Sequence, residues 1–496
     1  MRDHAPITLD EFNGLWDRGD SDTTPLDHFS EATNIQYFDG GFQTRDGIDL
    51  YQTVADKISN VLRIHPYTMM TQLSLLVLDA GGNISHILAP GTVHSNILSI
   101  PTMTDFNVVS WAGRAYITPF STDANGIEKG LDDEFLYVYK GDGVAARKAA
   151  GDPPTGTVTV ANGIAGDMDA GLHLFGVVFE SDTGWLSPPA AFNSFTTTAN
   201  TTVSFSNIPI SAQSFVTKRH IVATIKILNF NGDLDGYQYF FIPGATIEDN
   251  VTTVLPNIGF FDIDLLEDAS HLLDNFSEIP AGVGLCTYHG RLCLTTTHDD
   301  ISIAYLSEAG EPEAINQVDG LLIIPLDGNP ITTCTEFRDV LYIFKPGRTV
   351  GYSDNNDVPA TWQMFVVDEA QGSPVHGIAS VLTAGTINVD YLIIGNFTGV
   401  RLFDGGFQNP ELSYKIADFW FALDKTDFRA IEIANNTVTK KFYIILPDGS
   451  ILFCDYEMGL TYEAVKWAHW TYELFVTSME IISIEQMVLG TNGVVV

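Results

Sequence analysis

The chain has 496 residues, 45% of them hydrophobic, enough for a sizeable core and about three domains at about 150 residues each. Its charge is lopsided: 24 Lys and Arg stand against 62 Asp and Glu, a net −38. That excludes a DNA-gripping basic surface, which needs clustered Lys and Arg, and 31 Phe, 18 Tyr and 7 Trp exclude a disordered chain.

In chain order, Met1-Arg2-Asp3-His4-Ala5-Pro6 lacks the hydrophobic segment of a signal peptide, so a cytoplasmically made, soluble protein is expected. No apolar run reaches the ~18 residues of a membrane helix; charge and glycine interrupt the best one, 73–78, so no membrane insertion is expected. Helical periodicity is nearly missing. Short β-branched and aromatic runs recur instead, joined by turn residues. Runs 75–78 and 84–88 flank Ala80-Gly81-Gly82-Asn83, and run 135–139 precedes Gly141-Asp142-Gly143. Runs 391–394 and 400–403 flank 395–399, and runs 441–446 and 451–453 flank Pro447-Asp448-Gly449-Ser450. Asp-Gly between apolar runs predicts a hairpin, because both central residues must tolerate positive φ.

After the linker-like Ala149-Ala150-Gly151-Asp152-Pro153-Pro154, runs at 157–160, 172–179, 202–205, 220–227, 237–242 and 252–255 predict a β-sandwich of immunoglobulin or fibronectin-III type. Residues 269–276 form one amphipathic segment, read as a short helix or turn leading back to the main domain near Ile279-Pro280. The fold class is therefore all-β. Strand-turn units recurring at roughly 40–50 residues predict a β-propeller of about six blades, in which radial repetition leaves few exposed edges. The expected division is 1–150 for an N-terminal strand and first blades, 151–275 for the inserted sandwich and 276–496 for the remaining blades. The strand near 35–38 is expected to help close the ring.

One hexapeptide occurs twice. Phe38-Asp39-Gly40-Gly41-Phe42-Gln43 returns as Phe403-Asp404-Gly405-Gly406-Phe407-Gln408. Asp39, Gly40, Gly41, Asp404, Gly405 and Gly406 are either ordinary turn chemistry or equivalent turns of a repeated unit.

No catalytic constellation emerges. Asp132-Asp133-Glu134 and His298-Asp299-Asp300 are the densest acidic clusters, but strand neighbours point to opposite faces, so they read as solvated loop charge. Asn231-Gly232-Asp233-Leu234-Asp235-Gly236 lacks the Glu of a calcium loop and reads as a turn. Ser181-Asp182-Thr183-Gly184-Trp185 is too short, and too solitary, for the Asp-box turn of sialidase propellers. Lys218-Arg219-His220, the one basic knot, reads as a strand start, and Trp467-Ala468-His469-Trp470-Thr471-Tyr472 as strand packing on both faces. The four cysteines show no CxxC spacing, and no HExxH occurs, so neither a zinc site nor a cofactor is expected. A two-residue turn at His289-Gly290 would set Cys286 opposite Cys293, as a cross-strand disulfide or as two buried thiols; Cys334 and Cys454 stand alone.

Several segments, taken in order, resemble the tail nozzle (tail tubular) and tail plug proteins of short-tailed bacteriophages. Phe29-Ser30-Glu31-Ala32-Thr33-Asn34-Ile35 followed by Asp39-Gly40-Gly41-Phe42-Gln43-Thr44-Arg45-Asp46-Gly47 resembles their N-terminal signature. Ile279-Pro280-Ala281-Gly282 leading to His289-Gly290-Arg291-Leu292 is similar to their return into the propeller. Tyr305-Leu306-Ser307-Glu308-Ala309-Gly310-Glu311-Pro312-Glu313 resembles a blade segment. Thr217-Lys218-Arg219-His220 and Ile242-Pro243-Gly244-Ala245-Thr246-Ile247 look like parts of their sandwich domain.

The resemblance implies a virion protein, assembled in the host cytoplasm. It implies a homo-oligomeric ring, commonly a hexamer, below the portal and adaptor, with tail fibres as further partners. Double-stranded DNA would pass through without specific binding. The charge suits that role: six times −38 is −228, and a carboxylate-lined bore repels the phosphate backbone. Acidity for solubility or a saline habitat explains the same number. The competing function is a propeller glycosidase or lectin acting on host-surface polysaccharide, which needs carboxylates converging in a cavity.

Overall fold

The computed structural model describes residues 34–38, 41–44, 58–69, 72–89, 92–124, 126–229, 237–324, 327–374, 378–383, 389–424, 431–481 and 487–492. The chain is mostly β, in many small antiparallel sheets. The hairpin predicted at Asp448-Gly449 pairs Ile445 with Ile451, with Gly449 at φ 77°. At His289-Gly290 the φ angles are 46° and 70°, and Cys286 pairs with Cys293.

Among the described residues eight sheets lie outside the inserted segment: the two-stranded N-terminal hairpin, and seven others against the expected six or so blades. Sheets 1 (61–99), 2 (105–148), 3 (284–323), 4 (333–368), 5 (378–403) and 6 (432–470) each have three to five strands, and sheet 7 (476–491) has two. The first strands follow one another in space. Val61–Met69 packs on Asp105–Trp111, which packs on Gly284–Tyr288, which packs on Thr333–Phe337. Ile378–Thr383 packs on Glu432–Asn436, which packs on Val476–Ile481, and that strand returns to Val61–Met69. Sheets 4 and 5 are joined by Phe337, Tyr342 and Phe344 against Leu392, Ile394 and Phe403. The sheets therefore form a closed circuit, with apolar cores between the faces of neighbours, as blades do in a propeller.

The closing contact differs from the expected one. Sheet 7 closes the circuit by packing on sheet 1, where Thr477 Oγ1 donates to the Val61 carbonyl (2.8 Å) and Ser478 Oγ accepts from the Ile64 N–H (2.9 Å). The N-terminal hairpin, Ile35–Phe38 with Gly41–Thr44, instead lies beside the outer strand of sheet 6, Lys466–Trp470. There the indole N–H of Trp470 donates to the Ile35 carbonyl (2.6 Å), and the Asn34 N–H donates to the His469 carbonyl (2.8 Å). A short hairpin docked there shields an otherwise open sheet edge.

A largely buried charge cluster stands at the closure, its Arg63, Asp105 and Glu432 side chains each 13% exposed. Arg63 of sheet 1 is bonded to Asp105 of sheet 2 through Nε (3.0 Å) and to Glu432 of sheet 6 through Nη1 (2.9 Å). Ser478 of sheet 7 donates to the same Glu432 oxygen (2.9 Å). Burial alone would lower the Arg63 pKa, but Asp105 and then Glu432 more than reverse this. Burial raises Glu432, and it pushes neighbouring Glu480 up to about 8 with help from the Glu432 charge.

The inserted segment forms two sheets around one core. Thr159–Ala165, Thr201–Ser206 and Val254–Ile258 make the first. Ala190–Thr197, Gly171–Ser181, Val216–Thr224 and Tyr239–Ile247 make the second, in that spatial order. Val160, Val203 and Phe205 meet Phe175, Val177 and Ile221 between them. The strand Ala190–Thr197 was not among the predicted runs. The spatial order differs from the A-B-E-D and C-F-G sheets of an immunoglobulin constant domain. The chain leaves and re-enters the circuit side by side, with Ala150 bridged to Glu278 and Phe135 to Pro280. The amphipathic 269–276 segment contains a 3-10 turn, Ser270–Asp274.

Replacing Arg63 by Ala strands Asp105 and Glu432 without their cation; we expect a loss of about 3–5 kcal/mol in urea unfolding. A second expectation concerns pH. Glu480 keeps its proton in the folded state up to about 8, whereas its ordinary value is 4.5. Between those values the native state holds the extra proton, so stability falls as pH rises. Glu480→Gln should flatten that slope in urea midpoints measured from pH 5 to 8; an unchanged slope would contradict the assignment.

Candidate functional site

Of the repeated hexapeptide, Asp39 and Gly40 lie outside the described residues, while Gly41 opens its strand opposite Phe38. The second copy turns differently. Phe403 bridges to Phe407, the Asp404 N–H donates to the Gly406 carbonyl (3.3 Å), and Gly405 sits at φ 110°. Asp404 Oδ1 accepts from Gln408 Nε2 (2.7 Å), and its carbonyl accepts from Arg338 (2.7 Å). Phe38 thus pairs with Gly41 in the first copy, whereas Phe403 bridges to Phe407 in the second.

The two acidic clusters approach each other across sheets 2 and 3. His298 Nε2 lies 3.9 Å from Asp132 Oδ2, with both side chains largely exposed. Glu134 is tied up by the Tyr137 hydroxyl, and Asp300 accepts from Tyr305 (2.9 Å). Asp132 and His298 are exposed, as loop charge would be, whereas the Glu134 and Asp300 contacts are half-buried. Residues 231–236 lie outside the described residues.

The basic knot is spent internally. Arg219 is fully buried and donates to the carbonyls of Pro209 (2.8 Å), Asp249 (3.0 Å) and Thr252 (2.6 Å). Lys218 and His220 both pair with Glu180. The aromatic stretch is packed on both sides, with Trp467 edge-on to Phe442 and Trp470 stacked on Phe453 at 4.8 Å.

Arg147 joins the inserted sandwich to the circuit. Its guanidinium donates to Glu313 of sheet 3 (2.9 Å) and Asp182 of the sandwich (3.1 Å), and lies 4.1 Å from the Phe215 ring centroid. Glu313, 1% exposed, also accepts from the Ala150 N–H (2.8 Å) and the Tyr116 hydroxyl (3.2 Å). Asp182 also pairs with Lys140; burial would raise its pKa, but Lys140 and then Arg147 hold it below its ordinary value. The Ser181–Trp185 turn is thus a docking turn, with Trp185 buried. The sequence shows none of this, because Arg147 and Glu313 are 166 residues apart. Arg147→Ala should cost about 3–5 kcal/mol by leaving Glu313 buried and unpaired. It should also speed limited proteolysis near residues 149–158 and 259–278; an unchanged digest would contradict the docking role.

Between sheets 3 and 4 the structure brings together what spacing does not reveal. The sulfurs of Cys286, Cys293 and Cys334 lie within 4.8 Å of one another, all three residues buried. The thiols are unbridged, in line with the second reading of Cys286 and Cys293, and Cys334 is not alone. Thiol hydrogen bonds from Cys286 and then Cys334 pull Cys293 down, while Cys286 and Cys334 go up. Beside them a cavity of about 360 Å³ is lined by Asn107, Cys286, Thr287, Cys334 and Glu336, among others.

No protein family and no curated protein matches the sequence. Among solved structures the chain is similar to Raptor from Chaetomium thermophilum at 14% identity and TM-score 0.28, over 42% of this chain and only 19% of that one. It is similar to apo AztD from Citrobacter koseri at 10% identity and TM-score 0.30, over 80% and 82% of the two chains. For BamB from Moraxella catarrhalis the figures are 12%, 0.26, 68% and 96%. Likenesses this slight carry no argument; the fold rests on the sheet contacts themselves.

Proposed function

We propose that this chain is a structural virion protein, a tail nozzle subunit of a short-tailed bacteriophage. On this reading the seven sheets are propeller blades and the sandwich is an inserted domain. The subunits form a ring, a hexamer on the family's pattern, below portal and adaptor and beside tail fibres. That ring conducts double-stranded DNA, and loops at one end could close it before ejection. No bond is made or broken.

The observation that carries the reading is how the charge is distributed. The net charge is −38, and five cations among the described residues are spent on internal contacts, while others such as Lys140, Lys226 and Arg338 are exposed but far outnumbered by carboxylates. Arg63, Arg147, Arg219, Lys345 and Lys415 are bound to carboxylates or backbone carbonyls of the same molecule. Exposed carboxylates such as Asp132, Glu248 and Asp339 remain to face solvent. A surface of that sign offers phosphates no counterion-releasing contacts, and even when screened over about 8–10 Å it keeps a duplex mobile in a narrow channel. The ordered resemblance from Phe29 to Gly47, around Ile279, and from Tyr305 to Glu313 supports the same reading.

Immuno-electron microscopy of virions with antibody against this chain tests the proposal. Label confined to the tail vertex is expected. Virions without label, with the antigen on the host envelope instead, would overturn it.

A further inference from the structure

We infer that the three thiols between sheets 3 and 4 form a binding site for a soft d10 metal ion of low coordination number, with Cu(I) as the expected occupant. The inference is independent of the role proposed above.

The geometry comes from two hairpins in two sheets. Cys286 and Cys293 face each other across the tight turn at His289-Gly290, in adjacent strands of sheet 3. Cys334 arrives from Thr333–Phe337, the first strand of sheet 4, which packs on Gly284–Tyr288. Metal–sulfur bonds of about 2.3 Å place three sulfurs of a trigonal plane roughly 4 Å apart, and the observed cluster lies within 4.8 Å. Small inward adjustments of the side chains would complete it.

The surroundings favour a soft ion. Sulfur ligands select Cu(I) and zinc over harder metals. A structural zinc site takes four ligands, and three cysteines are the only members of this cluster among the described residues. Thr295, next on the Cys293 face of its strand, has a fully buried hydroxyl without a hydrogen-bond partner. That hydroxyl and Cys334 Sγ both crowd Gly284, where an added Cβ would come within 2.3 Å and 3.6 Å of them. The glycine therefore keeps the space beside the thiols open.

An entry route is present. Cys286 and Cys334 line the 360 Å³ cavity, and Glu336, which shares the Cys334 face of its strand, stands on the same wall. Each thiol that ligates gives its proton to solvent. Copper enters and stays as Cu(I), so no electron moves. Buried thiols could instead be apolar packing, and three this close could be oxidised in pairs; the test separates these cases.

The full-length reduced chain is titrated anaerobically with Cu(I) against a coloured Cu(I) chelator. One equivalent should be retained, with protons released, a higher melting temperature and a sulfur-only shell of three in X-ray absorption. Cys293→Ser and Cys334→Ala should each weaken retention at least ~10-fold, while Cys454→Ala, outside the cluster, should leave it unchanged. If either cluster variant fails to fold, the wild-type absorption shell decides. No retention by wild type, equal retention by the cluster variants, retention of Zn(II) but not Cu(I), or a disulfide among the three in freshly isolated protein would each overturn the inference.

Discussion

A circular array of sheets must join its last member to its first, and here that joint is held by one largely buried cation. Arg63 reaches from sheet 1 to Asp105 of sheet 2 and Glu432 of sheet 6, and Ser478 of sheet 7 completes the Glu432 contact. Its ligands come from residues 63 to 478, so nearly the whole chain must be in place before the charges are satisfied. A buried pair of this kind adds little net stability, but losing one partner is severe. It therefore acts as a register pin: a circuit that closed one strand out of place would bury carboxylates without their cation.

Arg147 does at the inserted domain what Arg63 does at the closure. It couples Glu313 to Asp182 beside the point where the chain leaves and returns. Both arginines are largely buried, both hold two carboxylates, and neither is free to meet a phosphate. An acidic chain that spends its cations on its own joints keeps its outside negative. On the proposed reading, the same economy that fastens the sheets keeps a passing duplex from sticking.

Local structure was legible in the sequence where turn chemistry is explicit. His289-Gly290 fixes its hairpin with both residues at positive φ, whereas at Asp448-Gly449 only the glycine takes it. Each of the six predicted sandwich runs overlaps a strand, 157–160 and 252–255 by two residues only, yet Ala190–Thr197 is missing from them because its small and polar residues resemble a linker. Long-range pairing was not legible. Arg63 with Glu432, Arg147 with Glu313 and Cys334 with Cys286 join distant segments, and spacing motifs describe only ligands carried on one local element. The repeated Phe-Asp-Gly-Gly-Phe-Gln shows the converse limit, since its leading Phe pairs with Gly41 in one copy and bridges to Phe407 in the other.

The conduit is the central claim, and single-particle cryo-microscopy of the native assembly tests it most directly. The account predicts a coaxial ring of these chains with a carboxylate-lined bore wide enough for B-form DNA. A lone propeller, or a peripheral oligomer around a sugar-sized cleft, would contradict it.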